Sequence, residues 1–409
     1  MLNSVKIDLD IIEVDIRDSL GMICAEEVRA PFDIPLFDRS AVDGFAVRSF
    51  DVSSASQHNP VYLTIVGSLE AGSDLSGVRP LNDGEAYAVY TGAPMPPGAD
   101  AVVPFEYCIN EGSRVGVLRP VPPYGNVSRA GEDFRKGDVI VRRGVKLMPW
   151  HIAALASANV SRVKVYRRVR VAIMNTGNEL INLGGGLRPG KIINSTGLLI
   201  ESYVKLLNAE PIPLGIIPDD VESIRGAVVK SLSMSDIVVI TGGTSIGDTD
   251  LVPEALESIS GAIRLFHGVA IRPGRTAGAY IIGGKPVLII SGLPVACLVS
   301  LEVFLKPLIH FLTGEDELPL ATVKAILTRR LVNEVGFKSF YRVSVCYGDD
   351  GKIYAEPLRL TGSGILSTLI RGNGIIVIPE EVEGFDVGEE ISVQILNPIS
   401  KCNSVYHIP

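Results

Sequence analysis

The chain has 409 residues, of which 46% are hydrophobic and 21% are charged, and its net charge at pH 7 is −8. This length predicts two to four domains, and this composition is typical of a soluble protein with ample apolar core. The acidic balance, with a pI near 5.3, argues against a general nucleic-acid binder, because such proteins usually carry a basic face.

The cysteines and the most apolar run indicate where the protein resides. Five scattered cysteines include no C-x-x-C pair, so they predict neither a zinc site nor a disulfide framework. That pattern fits a reducing compartment, and the first residues lack the features of a signal peptide, so we expect a cytoplasmic protein. The run from Pro286 to Leu301 is uncharged, but it is short for a membrane span. It predicts a core strand, a turn and a helix.

Short strands and turns dominate the first third of the chain. The β-like segments are Val61–Val66, Glu85–Tyr90, Ala101–Tyr107 and Val115–Leu118. Before them, Asp43-Gly44 is a turn dipeptide, and taken alone Asp43 is more typical of a turn than of a catalytic site. The proline-rich loop Thr91–Asp100 likewise favours a structural turn when taken alone.

Strands and helices alternate from Arg168 to Pro319. This order predicts a parallel sheet that is covered by helices on both faces. In such folds ligands lie beyond the carboxyl ends of the strands. We therefore expect Thr176-Gly177, Thr241–Gly243 and Ser291-Gly292 to gather at one edge of the sheet.

A glycine loop follows one of these strands. Thr241–Gly247 combines three glycines with three hydroxyls, so its backbone N–H groups can approach an anionic ligand. Asp248 and Asp250 come next, ahead of a predicted helix, and two carboxylates beside a phosphate seat suggest a divalent cation or acid–base chemistry. A tight turn with Asp250 as the helix cap is an equally good interpretation. The pattern is neither a Walker loop nor a GxGxxG dinucleotide loop.

Two arginines flank a Pro-Gly turn further along the chain. Arg272 and Arg275 lie three residues apart, and a guanidinium binds oxyanions through two parallel hydrogen bonds. A solvated turn explains the same residues equally well.

The last ninety residues are again β-like. Gly348–Gly351 and Gly372–Gly374 predict hairpin turns within a small β-barrel or sandwich. This region shows no obvious chemistry, because its two candidates, Ser363 and Asn373, are more typical of turns.

Together these segments resemble the MoeA family, the molybdopterin molybdenumtransferases, which include the E domain of gephyrin. The likeness covers nearly the whole chain. It rests on Pro35–Val47, Tyr90–Pro96, Ala130–Asp133, Asn175–Leu180, Asn194-Ser195, Gly242–Asp250 and Arg272–Arg275. The chain departs from the family pattern in three places. It has Asn178 where the family usually has Asp, Arg272 and Arg275 where the family has Lys, and Ser291 where the family has Pro. These changes lie on the ligand side and bear on metal preference and fine substrate choice more than on the reaction class.

The resemblance implies a multidomain α/β plus β fold. A central three-layer α/β/α domain like that of MogA would follow mixed and β-rich N-terminal domains, and a β-barrel-like domain would end the chain. The implied boundaries are 1–30 with 135–167 for domain I, 31–134 for the inserted domain II, 168–314 for domain III and 321–409 for domain IV.

The resemblance also implies the reaction, in which molybdate, or tungstate, is inserted into adenylated molybdopterin with release of AMP and use of Mg²⁺. It implies a homodimer with active sites shared between chains and allows a MogA-type partner protein, with no nucleic-acid or membrane partner. Two alternatives stay open: the preceding adenylylation of molybdopterin, and a non-catalytic molybdopterin-binding scaffold.

Residue roles are likewise implied by the resemblance. Catalytic carboxylates would be Asp43, Asp133, Glu179 and Asp250, and the metal would be held by Asp43, Glu179 and Asp250. The implied substrate-binding residues are Thr91, Thr176, Gly177, Asn194, Ser195, Gly242, Gly243, Thr244, Ser245, Gly247, Asp248, Arg272, Arg275, Ser291, Gly292 and Pro294.

Overall fold

A computed structural model describes residues 1–242, 251–315, 320–358 and 362–402. The chain divides into two compact units. One unit holds residues 13–20 and 24–165, and the other holds residues 1–12, 21–23 and the chain from 166 onward. The finer domain boundaries implied by the resemblance stay predictions.

The N-terminal part of the chain is built from twelve short strands and one helix in the described residues. The strands are β1 (Ile11–Asp15), β2 (Val28–Arg29), β3 (Arg39–Ser40), β4 (Gly44–Val47), β5 (Val61–Leu69), β6 (Glu85–Val89), β7 (Ala101–Pro104), β8 (Cys108–Asn110), β9 (Arg114–Val117), β10 (Val127–Ser128), β11 (Val139–Val141) and β12 (Arg162–Tyr166), and the helix is α1 (Pro149–Ser157). Six strands form a mixed sheet in the order β7-β4-β6-β5-β9-β8. Phe45, Leu63 and Val103 are buried in its core. The four predicted β-like segments are confirmed, except that the third ends at Pro104 and Phe105–Tyr107 is a short 3-10 helix.

The following α/β region has nine strands and five helices in the described residues. The strands are β13 (Arg170–Thr176), β14 (Leu180–Ile181), β15 (Ile192–Ile193), β16 (Glu210–Ile217), β17 (Ile237–Thr241), β18 (Ile263–His267), β19 (Ile271–Arg272), β20 (Gly278–Ile282) and β21 (Lys285–Ile290), and the helices are α2 (Ser195–Leu206), α3 (Val221–Met234), α4 (Leu251–Glu257), α5 (Pro294–Ser300) and α6 (Lys306–Thr313). The main sheet has the order β16-β13-β17-β21-β20-β18.

The predicted parallel sheet is confirmed for four of these six strands, β16, β13, β17 and β21. The last two strands of this order are paired antiparallel instead, β20 with β21 and β18 with β20. The reason lies in the connections. A parallel crossover needs a dozen or more residues, whereas Gly283-Gly284 alone joins β20 to β21 as a hairpin.

Side chains along β17 alternate between two apolar cores. Ile237 and Val239 are buried on one face with Ile200 of α2, while Val238 and Ile240 are buried on the other with residues of α3 and α4. Because successive strand residues point to opposite faces, a sheet covered on both sides needs such a continuous apolar run. The predicted three-layer α/β/α architecture is confirmed.

One long apolar helix packs against this sheet. Helix α5, a π-helical segment (Leu301–Leu305) and α6 follow one another without a break, so Pro294–Thr313 is long and apolar enough to cross a membrane by length and composition. However, 56% of its most apolar window is buried inside the protein, and Leu305 and Leu308 lie in the core. The burial accounts for the apolar sequence, and the predicted strand, turn and helix are confirmed.

The C-terminal region forms a closed barrel. Its elements are β22 (Thr322–Leu327), β23 (Leu331–Val332), β24 (Lys338–Tyr347), β25 (Ile353–Pro357), α7 (Ser367–Arg371), β26 (Gly374–Ile378), β27 (Gly384–Phe385), β28 (Glu390–Ile395) and β29 (Ser400–Lys401). Strands pair in the order β24-β25-β22-β28-β26, and β26 pairs back with β24. The predicted barrel and the hairpin turn at Gly348–Gly351 are confirmed. The second predicted hairpin was wrong, because Gly372–Gly374 joins α7 to β26.

The prediction of no disulfide was also wrong. Cys346 and Cys402 form a disulfide with an S–S distance of 2.06 Å. They are 56 residues apart in the chain, and they meet because β29 lies parallel to β24. Spacing along the sequence could not indicate this pairing.

A buried carboxylate, directly before strand β17, links the starts of neighbouring strands of the α/β sheet. Asp236, only 2% exposed, accepts hydrogen bonds at 2.7 and 2.9 Å from the Arg167 guanidinium and at 2.8 Å from the Arg170 backbone N–H. Burial by itself would raise the pKa of this carboxyl, but the hydrogen bonds outweigh it and hold the pKa below its usual range. Asp236 is therefore ionised in the folded protein and fully paired.

We expect Asp236→Ala to lower the free energy of unfolding by about 3–5 kcal/mol, because it leaves a buried guanidinium face without its partner. Urea denaturation at pH 7 measures the loss. The matched control is Asp10→Ala, which removes a 77%-exposed partner of the same arginine and should cost about 0–1 kcal/mol.

Acid should weaken the contribution of Asp236. A depressed pKa gives stability that is fully present above the unfolded value of about 3.9 and is lost as pH falls through the folded value. The difference between wild type and Asp236→Ala should therefore shrink under acid. Equal stability of the two proteins at pH 7 would show that this ion pair is unimportant.

Candidate active site

Two of the predicted site residues meet in the N-terminal unit. The Asp43 Oδ1 atom accepts hydrogen bonds from the backbone N–H and the hydroxyl of Thr91, each at 2.7 Å. The backbone hydrogen bond and then the hydroxyl hydrogen bond hold the pKa of Asp43 below its usual range. Asp43 is thus an exposed carboxylate, ionised at neutral pH and fixed in direction, which suits it to bind a cation or to orient a reactant.

Asp133 lies elsewhere in the same unit. It lines a cavity of about 510 Å³ with Phe32, Leu36 and Glu132. Asp43 and Thr91 are not among the residues of this cavity. The structure therefore brings together Asp43 and Thr91 and places Asp133 in a separate pocket.

A larger cavity, of about 620 Å³, opens at the carboxyl ends of β13, β17 and β21. The described residues that line it are Thr176, Glu179, Leu180, Ile192, Ile193, Asn194, Ser195, Thr196, Thr241, Gly242, Thr276, Ser291, Gly292, Leu293, Pro294, Gly364 and Leu366. The predicted gathering of strand-end residues at one edge is confirmed within the described chain. Polar groups and apolar walls together make a pocket suited to a small organic ligand. We call it the strand-end cavity.

A chain of side-chain amides fixes the floor of the strand-end cavity. Asn194 caps helix α2 by accepting a hydrogen bond from Gly197 N–H at 3.0 Å, and it donates to Asn175 at 3.0 Å. Asn175 in turn donates to the Thr241 hydroxyl at 2.5 Å. Asn175 is buried at the end of β13. Asn175 opens the motif Asn175–Leu180 but was not predicted as a site residue, because the sequence does not show that its side chain joins Asn194 to Thr241.

Glu179 is the one carboxylate among the described residues that line this cavity. Gly177 lies beside it, and a Cβ at Gly177 would be 2.7 Å from Glu179 Oε1. The glycine therefore leaves room for the carboxylate to fold back over the chain. Asn178, where the family pattern has Asp, receives a hydrogen bond from Lys191 on its carbonyl oxygen and donates its N–H to Asp219 at 2.8 Å.

A second cavity, of about 360 Å³, contains three arginines. Arg272 and Arg275 come from the α/β region, and Arg342 comes from strand β24 of the barrel. Arg342 is 6% exposed, and burial lowers its pKa, although an arginine stays charged at neutral pH. We call this the arginine cavity. The sequence shows no obvious chemistry in the barrel, yet Arg342 and Ser363 of the barrel line this cavity.

The two cavities share part of their walls. Thr276, Ser291 and Leu293 line both of them. The barrel segment at Ser363 is fixed to the α/β region by a 2.8 Å hydrogen bond from the Val295 N–H. An anion in the arginine cavity would therefore lie next to a ligand in the strand-end cavity.

Several predicted residues lie outside the described part of the chain: Gly243, Thr244, Ser245, Gly247, Asp248 and Asp250. Their roles stay predictions. Of the predicted metal ligands, Asp43 lies in one compact unit and Glu179 in the other. Within the described residues, no group of three or more His, Cys, Asp and Glu residues is placed to hold a metal.

Three family models match most of the chain. Residues 1–159 match the MoeA N-terminal region (domains I and II), residues 172–310 match a model described as "Probable molybdopterin binding domain", and residues 324–396 match the MoeA C-terminal region (domain IV). The chain belongs to the MoeA family.

Similarity to individual proteins supports the assignment to the MoeA family. The molybdopterin molybdenumtransferase of Bacillus subtilis is 34% identical over 94% of this MoeA chain and 89% of its own length. A protein of Methanocaldococcus jannaschii, provisionally described as a molybdopterin biosynthesis protein, is 38% identical over 94% of this chain and 92% of its own length. The crystal structure of the molybdopterin biosynthesis MoeA protein from Pyrococcus horikoshii OT3 superposes with a TM-score of 0.82 at 34% identity, covering 96% of this chain and 97% of that one.

Gly242 is a position where only glycine fits. Its φ of +92° is left-handed, and a Cβ there would lie 2.0 Å from the Thr176 carbonyl oxygen. We expect Gly242→Ala to displace the turn into the strand-end cavity and to weaken molybdopterin binding at least about tenfold, measured by calorimetry, since both strain and a clash act. The matched control is Gly226→Ala on α3, where a Cβ meets nothing within 4 Å. Tight binding by Gly242→Ala would show that the turn is not part of the pocket.

Proposed function

We propose that this MoeA chain is a molybdopterin molybdenumtransferase, which inserts molybdate, or tungstate, into adenylated molybdopterin and releases AMP. The observation that carries the proposal is the arginine cavity, which shares walls with the strand-end cavity. The reaction needs this arrangement, because a small oxyanion and a larger organic anion must be held side by side.

The arginines suit the oxyanion. A guanidinium presents donors in a planar fork, which binds an oxyanion through two parallel hydrogen bonds. Arg342 uses part of its fork within the barrel, where it donates to the Phe340 carbonyl oxygen at 3.2 Å and to the Thr368 hydroxyl at 3.4 Å. The cation of Arg342 is buried, and an electrostatic attraction is stronger in a less polar surrounding. Three cations also offset the repulsion between molybdate and the phosphate groups of the second substrate. A net acidic protein can therefore bind two anions at this place.

The strand-end cavity suits adenylated molybdopterin. Helix α2 begins there at Ser195, and the backbone N–H groups of a helix start attract phosphate groups. Leu293 and Leu366 supply apolar walls for a flat ring system. Ser291, which lies in both cavities, is then placed where the dithiolene meets the oxyanion.

The residues present fit Mg²⁺. This cation prefers oxygen ligands, and it commonly uses one or two carboxylates together with substrate phosphates. The described side chains that line the strand-end cavity include a carboxylate, hydroxyls and an amide but no Cys or His. Glu179, with Asp43 and Asp250, would hold the ion. When bound, it would polarise the phosphoanhydride that is cleaved.

We further propose a cytoplasmic homodimer in which each active site takes Asp43 from one chain and Glu179 from the other. The family resemblance supports the proposal, and Asp43 and Glu179 belong to different compact units of the chain. A MogA-type protein that supplies adenylated molybdopterin is the proposed partner, and no nucleic-acid or membrane partner is proposed.

AMP release tests the proposed reaction. Purified protein is mixed with adenylated molybdopterin, Mg²⁺ and molybdate, with sulfate in place of molybdate as the control. We expect AMP to appear only with molybdate or tungstate, and to disappear when Mg²⁺ is chelated. Pyrophosphate release from ATP and molybdopterin would instead identify an adenylyltransferase. Binding of molybdopterin with neither product would identify a scaffold.

A further inference from the structure

One loop of the barrel contacts both arginines that come from the α/β region. The loop Asn333–Phe337 connects β23 to β24. Its Glu334 accepts a hydrogen bond from Arg272 Nη1 at 2.9 Å, and the Phe337 ring lies 5.5 Å from the guanidinium carbon of Arg275. We propose that this loop is a positioning element, in which Glu334 and Phe337 hold Arg272 and Arg275 in the orientation that receives the oxyanion. The inference rests on the proposed function of the arginine cavity.

The two contacts leave the donors of the arginines available. Glu334 occupies one Nη1 donor of Arg272, and an arginine has five N–H donors. The Arg275 guanidinium lies over the Phe337 ring, and this cation–π contact is not a hydrogen bond, so it uses no N–H donor of Arg275. Neither Glu334 nor Phe337 is among the described residues that line the cavity. They therefore act through the arginines and not on the ligand itself.

The loop is rigidly built, which a positioning element requires. Asn333 is buried, and its amide donates to the carbonyl oxygens of Phe337, Val382 and Pro379 at 2.9, 3.0 and 3.3 Å. Its Oδ1 atom accepts a hydrogen bond from the buried Ser339 hydroxyl at 2.5 Å. This side chain thus ties the loop to strand β24 and to the chain at Pro379 and Val382.

The same network continues into the strand that carries Arg272. Ser339 pairs with Arg272 where β19 lies parallel to β24, and Lys338 N–H donates to Ala270 O at 2.9 Å. The backbone at Arg272 and the side chain that orients it are therefore held by the same part of the barrel. This assigns the barrel a second task besides supplying Arg342.

Stability does not explain the Glu334 contact. Both side chains of the Arg272–Glu334 pair are well exposed, at 59% and 60%, and such exposed pairs contribute little to folding stability. If Glu334 acted only through its negative charge, its removal would change oxyanion affinity in the opposite direction from the loss of a positioning contact. Removing an anion beside three cations would tighten oxyanion binding, whereas loss of orientation would weaken it.

Calorimetric titration with tungstate separates these possibilities. We expect Glu334→Gln and Phe337→Leu each to weaken tungstate binding about two- to fivefold, the factor that corresponds to an exposed ion pair or cation–π contact. Phe337→Tyr, which keeps the ring, should bind like wild type. The matched control is Asp386→Asn, which removes another exposed ion-pair partner in the barrel and should leave the affinity unchanged.

Each outcome decides the matter. If Glu334→Gln and Phe337→Leu bind tungstate as tightly as the wild-type protein or more tightly, the positioning role is overturned. The proposed function still stands in that case, because the wild-type protein binds tungstate. Failure of the wild-type protein to bind tungstate overturns both. In active protein, a raised KM for molybdate with an unchanged kcat for AMP release supports positioning of the oxyanion, and a fall in kcat alone contradicts it.

Discussion

Homodimers that carry Asp43→Asn or Glu179→Gln should release almost no AMP, and a sample re-mixed from the two should recover activity. If each site takes Asp43 from one chain and Glu179 from the other, a mixed dimer has one site with both changes and one intact site. Random exchange of equal amounts makes about half of the dimers mixed, so activity should return to roughly a quarter of wild type. AMP release before and after exchange measures the recovery.

Two controls make this complementation informative. Native mass spectrometry must show that the subunits have exchanged, and a re-mixed pair of Asp43→Asn with itself must stay inactive. If exchange is complete and no activity returns, both carboxylates serve the same chain and the shared site is wrong. Glu179 is chosen because it lines the strand-end cavity in the described chain, whereas Asp250 lies outside the described residues.

Arg342→Ala should raise the KM for molybdate by roughly 10- to 150-fold, the factor that corresponds to losing about 1.5–3 kcal/mol of hydrogen bonds to a charged group. The reason is that Arg342 is a buried cation in the arginine cavity. Arg342→Lys should fall between Ala and wild type, because it keeps the charge and loses the fork. Steady-state AMP release at varied molybdate measures the effect.

The control for Arg342 is Arg371→Ala, at the exposed end of α7 in the same barrel. It should leave the KM unchanged, since Arg371 is not among the described residues of the cavity. Thermal unfolding of each variant shows whether the barrel is intact. A folded Arg342→Ala protein with the wild-type KM would remove the arginine cavity from the reaction.

The sequence predicted those parts of the fold that are set by local patterns. A run such as Ile237–Ile240 is apolar at every position, and this predicts a strand that is buried on both faces. Because parallel strands end at one edge, Thr176 and Ser291 could be placed together before the structure was known. The helix caps at Asn194 and Asp220 are equally local, because each side chain accepts a hydrogen bond from the first turn of its own helix.

The remainder depended on contacts between distant segments, which short patterns do not record. The Cys346–Cys402 disulfide needs the pairing of β24 with β29, and the antiparallel edge of the α/β sheet needs the hairpin before β21. Arg342 sits within an otherwise ordinary strand, so only the packing of the barrel beside Arg272 and Arg275 shows its place in the cavity.

The most direct test of the two-cavity site is the position of tungsten in crystals soaked with tungstate. Tungsten scatters anomalously, so its position can be found without assuming where the ligand lies. We predict a peak in the arginine cavity within hydrogen-bonding reach of the guanidinium groups of Arg275 and Arg342, on the side of Ser291 that faces the strand-end cavity. A peak elsewhere, with this cavity empty at saturating tungstate, would contradict the account.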